Sequence, residues 1–156
     1  VLSGQIFSPA VQTSSHLVLS VGGNDLLQNI PFLYEGPIEN INGAIAGVQQ
    51  YIFNPLQQRY ETIVEKLSSH RANLLLCTVY EGDLGRSDEY RDVLDSSKIM
   101  VSSFNDIVYK TANKYGADVL ELRDIFVRPE DYANPIEPSH IGGEKLAKAI
   151  YDWINL

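Results

Sequence analysis

Apolar side chains form three short, nearly continuous runs along the chain, at residues 17–21, 73–80 and 119–122. A continuous apolar run of this length is typical of a strand that is buried on both faces, as in a parallel sheet. Stretches with regularly spaced apolar residues separate the runs. The pattern therefore predicts strands that alternate with helices, which is an α/β fold with a parallel sheet and covered faces.

Three stretches repeat apolar residues every three or four positions, the spacing of one helix face. They cover residues 45–67, 99–115 and 146–154. Pro55 is expected to kink or split the first helix near Phe53, because proline lacks an N–H group and clashes with the preceding turn. Gly116 is a suitable residue to end the second helix. Residues 26–42 are expected to form a long loop, and residues 81–95 a loop or a short helix.

Length and composition indicate one globular domain spanning residues 1–156. The net charge of −8 argues against a nucleic-acid-binding surface, which needs clustered Lys and Arg, and disfavours anionic membranes. No apolar stretch approaches the roughly 20 residues of a membrane-spanning helix. The single Cys77 excludes an internal disulfide and is expected to be a buried structural thiol. No metal-ligand spacing is found, so neither a metal nor a cofactor is predicted.

The first apolar run ends in the sequence Gly22-Gly23-Asn24-Asp25. Ligands of open parallel sheets bind beyond the carboxyl ends of the strands, so a site is expected here. Paired glycines allow a sharp turn, and an asparagine amide can donate a hydrogen bond to an oxyanion. Asp25 could hold Asn24 or tie the loop through backbone N–H groups. The alternative is a plain turn in which the Asn and Asp side chains cap backbone groups.

This tetrapeptide resembles the third sequence block, Gly-x-Asn-Asp, of the SGNH or GDSL-type hydrolases, which are esterases, lipases and related acyl hydrolases. The order of elements that follows is also similar to that family. The resemblance implies a flavodoxin-like three-layer α/β/α sandwich and a serine hydrolase that acts on a small-molecule acyl or acetyl ester. It implies that Asn24 donates to the oxyanion, with Gly22, Gly23 and Asp25 supporting the loop.

The family block that carries the serine, Gly-Asp-Ser, is not found before Gly22. The sequence Gly82-Asp83-Leu84 lacks the serine and follows the third block. The upstream serines have the wrong context and are expected to be solvated or capping residues; they are Ser3, Ser8, Ser14 and Ser15. No nucleophile is therefore identified, and we expect it to lie outside this chain.

The missing block also affects the predicted sheet. Its strand would lie beside residues 17–21, so that run becomes an exposed apolar edge, a template for pairing. We therefore expect a domain that is incomplete at its N-terminal side, with one or more strands missing. A complementing N-terminal segment, a second chain or a homodimer through this edge would complete it.

Residues 134–140 admit two alignments with the family's Asp-x-x-His block. In the first, His140 is the family histidine and Glu137 replaces the aspartate, which keeps an acid–histidine pair. In the second, Glu137 replaces the histidine and Asn134 replaces the aspartate, because the Pro and the capping Ser after Glu137 then match the family. The second fits the sequence better, and the first fits the chemistry better. His140 can also be a simple surface residue at a helix start.

The loop after Asp25 is rich in apolar side chains, which either line an acyl pocket or pack beneath the loop. They are Leu26, Leu27, Ile30, Phe32, Leu33 and Tyr34. The acidic residues from Glu81 to Asp92 are expected to form a solvated face that mildly disfavours anionic substrates.

Two functional classes stay open on the sequence. The first is a serine ester hydrolase whose nucleophile lies elsewhere, with Asn24 at the oxyanion and Glu137 or His140 transferring the proton. The second is a non-catalytic binding module descended from this fold, with a degenerate triad.

Overall fold

The computed structural model describes residues 8–29 and 40–156. Its strands are β1 His16–Leu19, β2 Asn73–Cys77 and β3 Asp118–Leu120. They form one parallel sheet in the order β1-β2-β3, in which Leu17 lies opposite Leu74. The predicted α/β class with a parallel sheet is therefore confirmed.

Helices surround this sheet. They are α1 Pro9–Thr13, α2 Gly23–Gln28, α3 Ile41–Val48, α4 Asn54–Ser68, α5 Leu94–Tyr115 and α6 His140–Ile154. Short 3-10 turns cover Leu84–Arg86, Asp88–Val93, Leu122–Asp124 and Pro129–Asp131. The expected loop at residues 26–42 was wrong at both ends, because residues 26–28 belong to α2 and residues 41–42 to α3. Residues 30–39 lie outside the described part of the chain. Gly116 ends α5 with a left-handed φ of 67°, as predicted.

The predicted break near Phe53 is present as a widened turn. Residues Gln49–Phe53 form a π-helical turn, in which the N–H of Asn54 donates to the carbonyl oxygen of Gln49. Pro55 then lies in the first turn of α4, where a missing N–H group costs little. Ile45 was expected on the buried face of this helical stretch but is 60% exposed, because α3 buries none of its described residues.

Side chains of the central strand β2 alternate between two hydrophobic clusters. Leu74 and Leu76 pack with α4 and α5, while Cys77 packs with Phe126 and Tyr132 on the other side. Successive side chains of a strand point to opposite faces, so β2 is buried on both. This explains why its sequence is a continuous apolar run.

Within the described residues, β1 pairs only with β2 and therefore lies at the edge of the sheet, as expected from the order of elements. Val18 on this strand is 40% exposed. Each strand ends two or three residues before the end of its apolar run. For β2 and β3 the reason is that polar side chains replace the sheet partners: Asn105 binds Val79, and the Thr78 hydroxyl binds the N–H of Leu122.

A buried ion pair anchors α6 to the segment before it. The side chain of Asp131 is 0% exposed, and both of its oxygens accept from Lys145 Nζ, at 2.6 and 2.8 Å. The same carboxylate accepts the N–H groups of Val127 and Arg128. Burial opposes ionisation of Asp131, but these hydrogen bonds outweigh it and lower its pKa. The aspartate therefore stays charged and fixes the approach to the helix.

Replacing Lys145 with methionine is expected to destabilise the protein by about 2–3 kcal/mol at neutral pH, because the buried carboxylate loses its counter-ion. The full cost of a deeply buried pair is not expected, since Lys145 is 36% exposed. Lys148→Met is the matched control: its pair with Asp152 is exposed, and a change of at most about 0.5 kcal/mol is expected. Urea unfolding of the two variants measures both values.

The same pair predicts an acid dependence of stability. A folded-state pKa below the unfolded value gives stability that is complete above the ordinary aspartate range and is lost as the pH falls through the folded pKa. The loss in Lys145→Met relative to wild type should therefore shrink at about pH 3. The account would be contradicted if Lys145→Met lost the same unfolding free energy at neutral pH and at about pH 3, or if Lys145→Met and Lys148→Met lost equal amounts.

Candidate functional site

A cavity of about 420 Å³ lies at the carboxyl ends of the strands. Its wall is formed by residues 20–27 after β1, residues 78–82 after β2, and residues 136–137 before α6. Leu84, Met100, Val101 and Leu122 complete an apolar side. The volume is within the usual range for small-molecule sites, which also combine apolar walls with a few polar groups.

Gly22 turns the chain sharply between β1 and α2. Its φ is 111°, a left-handed value that favours glycine, and its carbonyl accepts the N–H of Leu26. A Cβ here would lie 2.3 Å from Cε1 of Phe104, which is fully buried. At Gly23 the nearest atom would be Val79 Cγ1 at 3.7 Å, an ordinary contact. Of the paired glycines, only Gly22 is therefore required by the backbone and by space.

Asn24 and Asp25 lie in the first turn of α2 and line the cavity. Asn24 is exposed, and its amide makes no hydrogen bond to another described residue. Asp25 was expected either to hold Asn24 or to tie the loop through backbone N–H groups. Among the described residues its carboxylate instead faces Arg59 at 3.6 Å, in a pair whose side chains are 42% (Asp25) and 64% (Arg59) exposed. Such an exposed pair contributes little energy. No described residue therefore occupies the hydrogen-bonding groups of the Asn24 amide.

The wall after β2 is fixed by a buried amide. Asn105, 1% exposed, accepts the N–H of Val79 and donates to its carbonyl oxygen, both at 2.8 Å. Both polar groups of this backbone residue are thereby satisfied where the sheet ends. These two hydrogen bonds fix Val79 and thereby position Tyr80 and Glu81, the next two residues, at the cavity.

A network of hydrogen bonds around Glu121 also holds the loop after β2. The Thr78 hydroxyl donates to Glu121, which also accepts from Arg123 and from the Tyr109 hydroxyl. Burial opposes ionisation of Glu121, but the hydrogen bonds outweigh it and lower its pKa to about 2. The network joins the loops after β2 and β3 while Glu121 remains charged.

Glu137 reaches the cavity through a compact turn. The side-chain oxygen of Asn134 accepts the N–H groups of Ile136, at 3.0 Å, and Glu137, at 2.8 Å. The Tyr80 hydroxyl donates to the carbonyl oxygen of Ile136 at 2.8 Å. Asn134 thus shapes the turn but does not itself line the cavity, whereas Glu137 does.

His140 lies outside the cavity wall. It is the first residue of α6, its side chain is 88% exposed, and its Nε2 faces Glu144 at 3.1 Å. Ser139 before it caps the helix by accepting the N–H of Gly142. The structure therefore brings Asn24, Glu137 and the glycine turn together, and leaves His140 and Asn134 outside the lining.

Two serines that the sequence interpretation did not consider line the cavity, Ser20 and Ser97. The Ser97 hydroxyl donates to the carbonyl of Leu94, and Ser20 makes no hydrogen bond to a base among the described residues. Ser20 directly follows β1, and this position after a strand could have identified it in the sequence as a residue of the site. Of the upstream serines, Ser8 caps α1 as interpreted, and Ser3 lies outside the described residues.

Some further predictions concern the same region. Leu26 and Leu27 line the cavity, while the other proposed acyl-pocket residues, Ile30, Phe32, Leu33 and Tyr34, lie outside the described residues.

Cys77 is buried, which raises its pKa to about 11, as suits a structural thiol. In the described ranges there is no group of three or more side chains that could hold a metal ion. No helix of those ranges is long and apolar enough to cross a membrane.

Comparison of the chain with models of known protein families, with curated proteins and with solved structures found no match. The resemblance to SGNH hydrolases therefore stays a prediction that depends on the residues of this chain alone.

Gly22→Ala is expected to destabilise the fold by more than about 3 kcal/mol, from the left-handed backbone and from overlap with Phe104. Gly116→Ala is the matched control, because its φ is also positive but nothing lies within 4 Å of its Cβ. It should cost only about 1 kcal/mol. Denaturant titration of the two variants measures the difference, and equal losses would show that the contact with Phe104 does not matter.

Glu137→Gln is expected to lower the pKa of Tyr80. Burial is the larger cause that raises this pKa, and the charge of Glu137 adds to it, so the value should stay above that of an ordinary tyrosine. Glu65→Gln, an exposed change on α4, should leave it unaltered. The ¹³C shift of the Tyr80 ring during a pH titration, assigned with Tyr80→Phe, reports the value. An unchanged pKa in Glu137→Gln would place its carboxylate away from the tyrosine.

Proposed function

We propose that this protein is a serine ester hydrolase of the SGNH type, acting on a small acyl or acetyl ester. The observation that carries the proposal is that Asn24 and Glu137, far apart in the chain, line one cavity at the carboxyl ends of the strands. The second alignment of the C-terminal block gives Glu137 the place of the family histidine, with Asn134 in the place of the aspartate. The cap at Ser139, directly after Pro138, also supports that alignment.

Asn24 is the proposed oxyanion donor. Its amide is exposed to the cavity and has no competing partner among the described residues. The turn that carries it is held by Gly22 against the buried ring of Phe104. A donor fixed in advance stabilises the oxyanion by about 2.7–4 kcal/mol.

Glu137 is the proposed proton carrier for a serine that lies outside this chain. The serine oxygen attacks the ester carbonyl carbon, its proton passes to the Glu137 carboxylate, and the carbonyl oxygen becomes the oxyanion bound by Asn24. Collapse of this intermediate expels the alcohol, which takes the proton, and leaves an acyl-serine. Water then repeats the sequence and releases the acid.

A specific observation favours the second candidate, a binding module. No imidazole is among the described residues that line the cavity, and neither of its two serines is hydrogen-bonded to a base there. In this reading the same cavity and Asn24 hold an ester-like ligand without cleaving it.

Hydrolysis of a short-chain p-nitrophenyl ester and labelling by a fluorophosphonate probe test the proposal. Both are measured with this chain alone and with any residues that its gene encodes before Val1. Where turnover is found, Asn24→Ala should lower kcat by about 10²–10³-fold with little change in KM, since the oxyanion forms only during the reaction. Gln28→Ala, an exposed change on the same helix outside the cavity, is the control.

Absence of labelling and turnover in both folded forms would overturn the hydrolase proposal and favour the binding module. An equal loss in Asn24→Ala and Gln28→Ala would remove the oxyanion role from Asn24.

A further inference from the structure

Two carboxylates that line the cavity have no counter-ion among the described residues. Neither Glu81 nor Glu137 takes part in an ion pair or a side-chain hydrogen bond with a described residue. By contrast, three other carboxylates are paired: Asp83 with Arg86, Glu121 with Arg123 and Asp131 with Lys145. The cavity lining therefore carries two carboxylates that no described ion pair neutralises.

Nearby cations do not neutralise this wall. No Lys, Arg or His is among the described residues that line the cavity. Arg123 lies within electrostatic range of Glu81, but two of its guanidinium nitrogens donate to Glu121. Arg59 faces Asp25, the third carboxylate of the lining, across an exposed gap. Residues 1–7 and 30–39 contain no Lys, Arg or His, so no side chain from them can supply a cation.

The remaining wall suits the apolar part of a cation. Tyr80 lines the cavity. Burial raises the pKa of its hydroxyl, and the charge of Glu137 raises this pKa further. Leu84, Met100 and Val101 form an apolar surface alongside. Carboxylates beside aromatic and aliphatic groups are the chemistry that binds alkylated ammonium groups.

We propose that the cavity selects esters that carry an ammonium group and rejects those that carry an anion, with Glu81 as the main specificity-determining residue. That the ligand is an ester rests on the proposed function. That the cavity selects by charge rests on the residues that line it. Glu81 is preferred to Glu137 as the determinant because it is partly buried and has no role in proton transfer, whereas Glu137 is more exposed.

Three matched esters test the selection by binding, without any need for turnover. They are acetylcholine, its uncharged isostere 3,3-dimethylbutyl acetate, and the anionic 4-acetoxybutanoate. Dissociation constants come from NMR shift changes of the folded chain at low and high salt. Acetylcholine should bind about tenfold more tightly than the uncharged ester at low salt, the anion should bind most weakly, and salt should reduce the differences.

Glu81→Gln should reduce the preference for the ammonium ester, measured as the ratio of its affinity to that of the uncharged ester, by about threefold. Glu65→Gln removes the same charge from an exposed position on α4 and should leave this ratio unchanged. Equal affinities for the three esters, tighter binding of the anion, no binding of acetylcholine, or equal effects of the two variants would each overturn the inference. If the three esters bind in the expected order but are not hydrolysed, and the probe does not label the protein, the inferred charge selection is supported and only the hydrolase proposal is overturned.

Discussion

Asn105 binds both polar backbone groups of Val79 at the exit of the central strand, from a position that is 1% exposed. An unpaired buried backbone group costs about 1–3 kcal/mol, so this side chain decides where β2 can end. Its neighbour Phe104 fills the space that a side chain at Gly22 would need and packs edge-on against Tyr60. Two consecutive residues of α5 thereby fix the loops after β1 and β2, and with them two walls of the cavity.

The cavity wall at residues 136–137 depends on a different set of interactions. Asp131 and Lys145 tie α6 to the preceding turn, and the carbonyl of Asp131 accepts the N–H of Ser139. Between these points Tyr132 packs with Phe126, and the side chain of Asn134 and the hydroxyl of Tyr80 bind the backbone of residues 136–137. A polar segment held in this way brings Glu137 to the cavity while its carboxylate stays accessible.

These walls differ in chemistry, which sets what the cavity can do. Among the described residues, the α2 side has an amide whose hydrogen-bonding groups are unoccupied, and Tyr80, Glu81 and Glu137 supply an aromatic ring and two carboxylates without an ion pair. In the proposed function the amide would donate to the oxyanion and the carboxylates would repel it, so the two sides would orient a bound ester. In the described part of the chain, β1 is an edge strand of the sheet and leads directly into the glycine turn of this site.

The sequence by itself determined the alternation of strands and helices, the buried central strand, the break before Pro55 and the end of α5 at Gly116. These features depend on local periodicity and on backbone preferences, which any sequence displays directly. It also identified the glycine turn and Glu137 as candidate site residues. Only the tertiary structure decided that Glu137, and not His140, faces the cavity with Asn24. That choice depends on long-range contacts, the Asp131–Lys145 pair and the Tyr80–Ile136 hydrogen bond, which no local pattern encodes. The strand ends likewise shifted from the sequence prediction, because Asn105 and Thr78 capture backbone groups from distant positions.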